Sequence, residues 1–269
     1  MSKRPIVVLL GAALSLAASG FAFAAPPLPP PAPFYSWTGL YPGYSWTGFY
    51  AGLNAGGAWG RDRVNTEQFE PVPPFFAVDR AAISGAASHT FDPGSFTGGA
   101  QAGYNLQYGQ WLVGLEGDFQ YLGLKGSQGG TFPFPSTPTT FFSTATNVST
   151  NWLFTLRPRV GWIANNWLIY ATGGLAVGNE KFNQSITLLA GGAETALFST
   201  TRTGWTVGGG VEYALHRNWS VRGEYLYVDY GTVNATGNLN LPQPPPFFTA
   251  SSVHLTANIV RVGLNYQFH

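Results

Sequence analysis

Residues 258 to 268 read NIVRVGLNYQF, with large apolar side chains at alternate positions. Val260, Val262, Leu264, Tyr266 and Phe268 share one face, and Arg261, Gly263, Asn265 and Gln267 share the other. A repeat of two is the side-chain period of a β-strand, which no amphipathic helix can satisfy. A strand in a soluble sandwich alternates as well. Here, however, the apolar face is larger and more aromatic than a water-covered surface needs, and its partner face is small and polar. Lipid outside and a packed polar lumen inside would produce that asymmetry.

Seven more segments are candidate strands. Residues 47–60 set Phe49, Ala51, Leu53, Ala55 and Trp59 against Tyr50, Gly52, Asn54 and Gly56. Residues 96–107 set Ala100, Ala102, Tyr104 and Leu106 against Gln101, Gly103, Asn105 and Gln107. In 111–124, Val113, Leu115, Phe119 and Tyr121 oppose Glu116, Asp118 and Gln120. In 150–162, Trp152, Phe154, Leu156, Val160 and Trp162 oppose Thr155, Arg157, Arg159 and Gly161. Residues 204–214 and 219–230 place Glu212, Arg222 and Glu224 on their polar faces. Residues 167–178 are apolar on both faces, so their inward side is not legible. The sum is eight strands, and single-chain bacterial barrels have even strand numbers. Three connections are tight, Tyr108-Gly109-Gln110, Ala164-Asn165-Asn166 and His216-Arg217-Asn218. Four are long, near 62–95, 125–149, 179–203 and 231–254. The expected fold is therefore an eight-stranded antiparallel transmembrane β-barrel with short periplasmic turns and four long extracellular loops.

Composition agrees. Charged residues make up 9% of the 269, against about 25% in an ordinary soluble domain, while aromatics reach 16%. A net charge of +1 creates no field for nucleic acid, and the absence of cysteine removes disulfides and thiolate chemistry. Lys3 and Arg4, an apolar run and Ala22-Phe23-Ala24 have the form of a cleaved secretory signal over 1–24. PPLPPPAP follows, so 25–45 is expected to be a Pro-rich periplasmic leader and 46–269 the barrel. The leader ends in a duplication, YSWTG at 35–39 and again at 44–48. Pro42 would interrupt a ladder begun from the first copy, so the second copy is taken as the start of the fold.

Trp46, Trp111, Trp167 and Trp219 precede or open the strands expected to run outward, and Trp162, Tyr266 and Phe268 close strands that return. Together they predict an aromatic girdle at one membrane face. Glu116, Asp118, Glu212 and Glu224, with Arg157, Arg159, Arg222 and Arg261, fall on inward faces. Four charges of each sign predict a paired network that fills the lumen, with a narrow charged channel as the alternative. Acid-base catalysis by Glu116 and Asp118 has only their shared strand face behind it, and no enzyme is expected.

The segments YSWTGFYAGLNAGGAWG, GGAQAGYNLQYGQWLVGLEGDFQY, RPRVGW, LIYATGGLAVG, GWTVGGGVEYAL, WSVRGEYLYVDYG and RVGLNYQF occur in that order. They resemble the small outer-membrane β-barrel proteins of alphaproteobacteria, the opacity-type or porin-family proteins. The resemblance implies an eight-stranded, OmpA-like barrel integral to the outer membrane, either structural or, in some relatives, hemin-binding. Two features depart from the pattern: His269 follows the terminal aromatic Phe268, and YSWTG is doubled.

The regions between strands hold Phe75 and Phe76, Phe141 and Phe142, and Phe247 and Phe248, each pair near prolines. They are expected either to pack as a cap over the barrel mouth or to present an apolar patch to a ligand or surface. His89, His216, His254 and His269 show no metal-ligand spacing, and no metal or cofactor is expected. Ser252 and His254 give the one weak suggestion of hydrolysis. The function expected is structural, with a narrow pore or loop-mediated binding of a ligand such as hemin, or adhesion, as alternatives. Outer-membrane lipid, lipopolysaccharide and the barrel-assembly machinery are the expected partners, and the chain is expected to act as a monomer.

Overall fold

The computed structural model describes residues 44–69, 77–188, 193–240 and 247–268. The expected signal, the leader through Gly43 including the first YSWTG, the pair Phe75 and Phe76, and His269 lie outside them. Nine antiparallel strands and one helix are present among the described residues: β1 Gly48–Phe69, α1 Ala77–Ala87, β2 His89–Phe91, β3 Gly94–Tyr108, β4 Trp111–Pro133, β5 Phe141–Ala164, β6 Trp167–Leu188, β7 Ala193–His216, β8 Trp219–Asn240 and β9 Phe247–Phe268. Each long strand pairs with the next, and β1 pairs with β9, so the sheet closes on itself. Closure lets the wall strands satisfy one another's backbone groups, and the β7–β8 ladder runs unbroken from Trp205↔Asp229 down to Ala214↔Ser220.

The extra strand is β2. It pairs with Asp62 to Val64 of β1, while β3 pairs with Gly48 to Trp59 of the same strand. Pro93 lies between them and cannot donate to a ladder, so the strand breaks there, and the Gly60 N–H bonds to the Pro93 carbonyl instead.

The long connections prove much shorter than expected. β4 and β5 stay paired from Trp111↔Trp162 to Pro133↔Phe141, and β6 and β7 from Trp167↔Tyr213 to Thr187↔Ala193. At 24 residues, β5 is about 80 Å long, whereas a tilted crossing needs only about ten residues. The surplus stands beyond the membrane. Its sequence hides it, because outward positions such as Ser143, Asn147 and Ser149 lie beyond the apolar band and no apolar alternation marks them. Phe141 and Phe247 thus begin strands and are not loop residues. The tight turns are two-residue hairpins, with Gly109 and Asn165 at positive φ as such turns require.

One element is absent from the sequence reading. α1 lies in the mouth of the extended barrel, with Ile83 and Ala87 packed on Phe134, Phe142, Ile186 and Leu188. Its terminal carbonyls, which no further turn can satisfy, accept from the wall: Ala86 O from Thr144, and Ala87 O from Gln184 and Thr66. Near its start, Asp79 accepts from the Ser136 N–H at 3.0 Å and from the Ser136 hydroxyl.

Candidate functional site

The interior is built in storeys. The floor is formed by residues just before β1. Trp46, expected in the girdle, is 1% exposed and lies inside the barrel against Leu112, Ile163, Leu168, Tyr170 and Ala214. Tyr44 packs edge-on to it at 4.7 Å, and its hydroxyl donates to Gln267 at 3.0 Å. These residues precede the first ladder pair of β1, at Gly48, and their rings fill the open end of the barrel. The Trp46 N–H donates to the Gln107 amide oxygen, and the Gln107 N–H to Thr47 Oγ1. The chain then turns into β1 at Gly48, whose φ of 134° is denied to side-chain-bearing residues. A Cβ there would stand 2.9 Å from the Phe268 carbonyl oxygen. Gly48→Ala is expected to cost about 1–3 kcal/mol, read as a lower urea midpoint of the folded band. An unchanged midpoint would mean the turn is not constrained.

Above the floor the eight inward charges meet. Arg157 reaches Glu116 at 2.6 Å, Asp118 at 2.8 Å and Glu224 at 3.3 Å. Arg261 reaches Asp118 at 3.1 Å and Glu224 at 2.5 Å. Arg159 joins Glu116 at 3.5 Å to Glu212 at 3.3 Å, and Arg222 bonds Glu116. All eight are buried, and the four positive and four negative charges cancel. Neutral residues that sequence reasoning did not include complete the set. Tyr50 donates to Glu116 at 2.6 Å and Tyr170 to Glu224 at 3.0 Å. Asn265 and Ser220 donate to Glu212, and Thr155 to Asp118. The Arg159 guanidinium sits 5.0 Å from the Tyr50 ring and 4.9 Å from that of Tyr170, within cation–π range. Their inward parity was the signal available in the sequence. Gly103 and Gly210 make the room, since a Cβ at either would come within 2.7 Å of the Tyr50 or Tyr170 hydroxyl.

The next storey is apolar. Leu122, Leu153, Phe182, Leu226, Val228, Val253 and Ile259 are buried in one cluster across the lumen. The inward face of β6, ambiguous in sequence, is Leu168, Tyr170, Thr172 and Ala176. Above it, Gln184 bonds Thr66, Thr146 and Ser251 beneath α1. Phe142, with no exposure, packs under the helix beside Phe134, whereas Phe141 faces outward at 38% exposure. The expectation that they act as a pair is therefore corrected, because adjacent strand residues point to opposite faces. Phe247 and Phe248 lie on β9, where Phe248 registers with Phe69.

Outside, two aromatic belts bound the wall. The inner one holds Trp111, Trp162, Trp167, Trp219 and Phe268, all exposed, with Tyr266. Register aligns Trp111 with Trp162 and Trp219 with Tyr266, whose rings are 5.1 Å apart. A second belt, which the sequence reading missed, comprises Trp59, Phe96, Tyr121, Trp152, Trp205 and Tyr227. Trp152 and Trp162 stand ten residues apart on β5, about 25 Å of height at the usual tilt, the thickness of an outer-membrane apolar band.

The histidines do not converge. His89 shares the inward face with Phe91, while His254 points outward from β9, 3.2 Å from Thr232 Oγ1. The wall separates them. The nearest carboxylate to His254 is Asp229 at 4.0 Å. His216 ends β7 at an inner turn.

A closed antiparallel wall with an apolar band outside, aromatic belts at both rims and a neutralised charge layer inside defines a transmembrane β-barrel. Residues 10–268 match the model of the outer membrane protein beta-barrel domain, and the chain belongs to that family. It is an integral outer-membrane protein of the bacterial envelope. It is 35% identical over 247 residues to the 31 kDa outer-membrane immunogenic protein of Brucella melitensis, covering 90% of this chain and 88% of that one. It is 28% identical to the 25 kDa outer-membrane immunogenic protein of Brucella abortus over 98% of both chains. Among solved structures, it is similar to the outer membrane protease OmpT of Escherichia coli at 11% identity and a TM-score of 0.48, over 84% of this chain and 98% of that one.

Proposed function

We propose that this barrel is a closed structural element of the outer membrane and has no enzymatic activity. It is embedded as a single copy in lipid and lipopolysaccharide after delivery by the barrel-assembly machinery. The observation that carries the reading is the layered lumen. Arg157, Arg159, Arg222 and Arg261 are bound by Glu116, Asp118, Glu212 and Glu224, and the apolar storey around Leu153, Phe182 and Leu226 lies directly above. Ions crossing the lumen would have to break a neutral network and then pass a dry layer, which does not favour a pore. The extension beyond the outer belt suits a surface-exposed role, and the relatives' names as immunogenic proteins support that. Conductance in a planar bilayer tests the closed lumen. Protein that inserts and shows a heat-dependent gel shift is expected to give no discrete current steps. Regular, repeatable steps would sink the closed-barrel reading in favour of a pore.

A further inference from the structure

After Lys3 the chain contains two lysines, Lys125 on β4 and Lys181 on β6. Register places both beside one residue: Ser149 of β5 pairs with Lys125 on one side and Lys181 on the other. Both are exposed and point away from the lumen, since the adjacent Leu124 and Phe182 are buried inside. Two strand spacings set their Cα atoms about 10 Å apart. Flexible four-carbon stems let the two ammonium groups converge on one phosphate or bracket a pair.

Height gives the patch its meaning. Ser149 stands three residues beyond Trp152 of the outer belt, a rise of roughly 8 Å after tilt. Headgroups occupy about 5–8 Å on each side of the hydrocarbon core, so the two charges sit at the level of outer-leaflet phosphates. Other outward positions in the same and the next row are Ser199, Asn147 and Asn183, donors suited to sugar hydroxyls. Among the described residues neither lysine has an ion-pair partner, whereas Arg61, exposed on β1, is paired with Asp92 at 3.2 Å. Glu180, next to Lys181 in sequence, faces the lumen and pairs with Arg202 at 3.7 Å, so it does not neutralise the patch.

We infer that Lys125, Ser149 and Lys181 form a binding site for the phosphorylated sugar headgroup of an outer-leaflet glycolipid. The inference rests on the barrel's placement in the outer membrane, and it adds to that placement a specific lipid contact on the β4–β6 wall. Three adjacent strands would be held by one headgroup, tying the extension to the leaflet from which it rises.

The test uses the full folded barrel in mixed micelles with bisphosphorylated lipid A, the same lipid stripped of both phosphates, and inorganic pyrophosphate. The native chain is expected to prefer the phosphorylated lipid by about tenfold, with the preference weakening as salt rises. Lys125→Gln with Lys181→Gln should abolish the preference, and Lys125→Arg with Lys181→Arg should retain it. Equal binding of the two lipids by the native chain, or an undiminished preference in the glutamine variant, would overturn the inference. Pyrophosphate bound as tightly as the lipid would also overturn it, by showing a site for soluble anions. If the glutamine variant fails to fold, the native comparison of the two lipids still decides. A heat-dependent gel shift on the same samples separates this failure from failure of the barrel reading.

Discussion

Arg157→Met is expected to lower the stability of the folded barrel by about 3–5 kcal/mol, the usual cost of leaving buried charges without their partner. Arg157 is fully buried and contacts Glu116, Asp118 and Glu224 from the centre of the network. Methionine matches much of its volume, so the loss isolates charge rather than space. Three carboxylates would then share the remaining arginines in a medium that screens poorly. A second variant probes the same physics from the other side. Arg159→Met combined with Glu212→Gln removes one charge of each sign from a 3.3 Å pair, and it should cost less than the two single changes summed. Urea titration in lipid vesicles, followed by the gel shift between unheated and boiled samples, measures both. If Arg157→Met unfolds at the native midpoint, the network carries no stability and the plug is held by other contacts.

The second large effect is on pH, and it arises beyond the apolar band, on the lumen side of the wall. Asp62 lies three residues beyond Trp59 of the outer belt, and Glu180 registers with Thr150, two residues beyond Trp152. Both are turned into the extended lumen and buried. Burial, then the Glu180 carboxylate and Asp92, push Asp62 up to about 7. Burial, partly offset by Arg202, pushes Glu180 up to about 7. Tyr230 also faces Glu180 and is raised by burial, so it stays protonated throughout this range. In the unfolded chain both carboxyls ionise near pH 4. The folded state therefore holds protons that the unfolded state has lost, and stability falls as pH rises from about 4 to about 7. The penalty is complete above pH 7. The two groups together should make the barrel roughly 3–6 kcal/mol less stable at pH 8 than at pH 4. Asp62→Asn with Glu180→Gln should flatten most of that difference. A native chain equally stable at both pH values, or a double variant that keeps the full slope, would remove these two groups from the account.

These expectations draw unequally on sequence and structure. The face of each transmembrane strand was legible because a lipid-exposed wall forces an apolar residue at every second position. Glu116, Arg157, Glu224 and Arg261 could be placed inside by counting parity alone. Which of them meet was not legible. Arg261 and Asp118 are far apart in the chain and on strands that do not pair with each other, and only curvature of the closed sheet brings them to 3.1 Å. Trp46 shared a motif position with Trp111, Trp167 and Trp219, yet it lies in the floor because it precedes the first ladder pair of β1, at Gly48. α1 escaped notice because AVDRAAISGAA offers only a short apolar face, and its stability comes from Phe142 and Ile186 of the surrounding wall.

The amino-acid sequence by itself determined the class of the fold, the span of the membrane crossing and the polarity of each side of the wall. Those properties repeat every second residue, and the solvent on each face imposes them locally. Tertiary structure decided the height of the strands beyond the membrane, the turn of Trp46 into the lumen, the seat of α1 and the meeting of Lys125 with Lys181 across Ser149. Each of these depends on register between strands distant in the chain, and register is settled by closure of the whole ring rather than by any one segment.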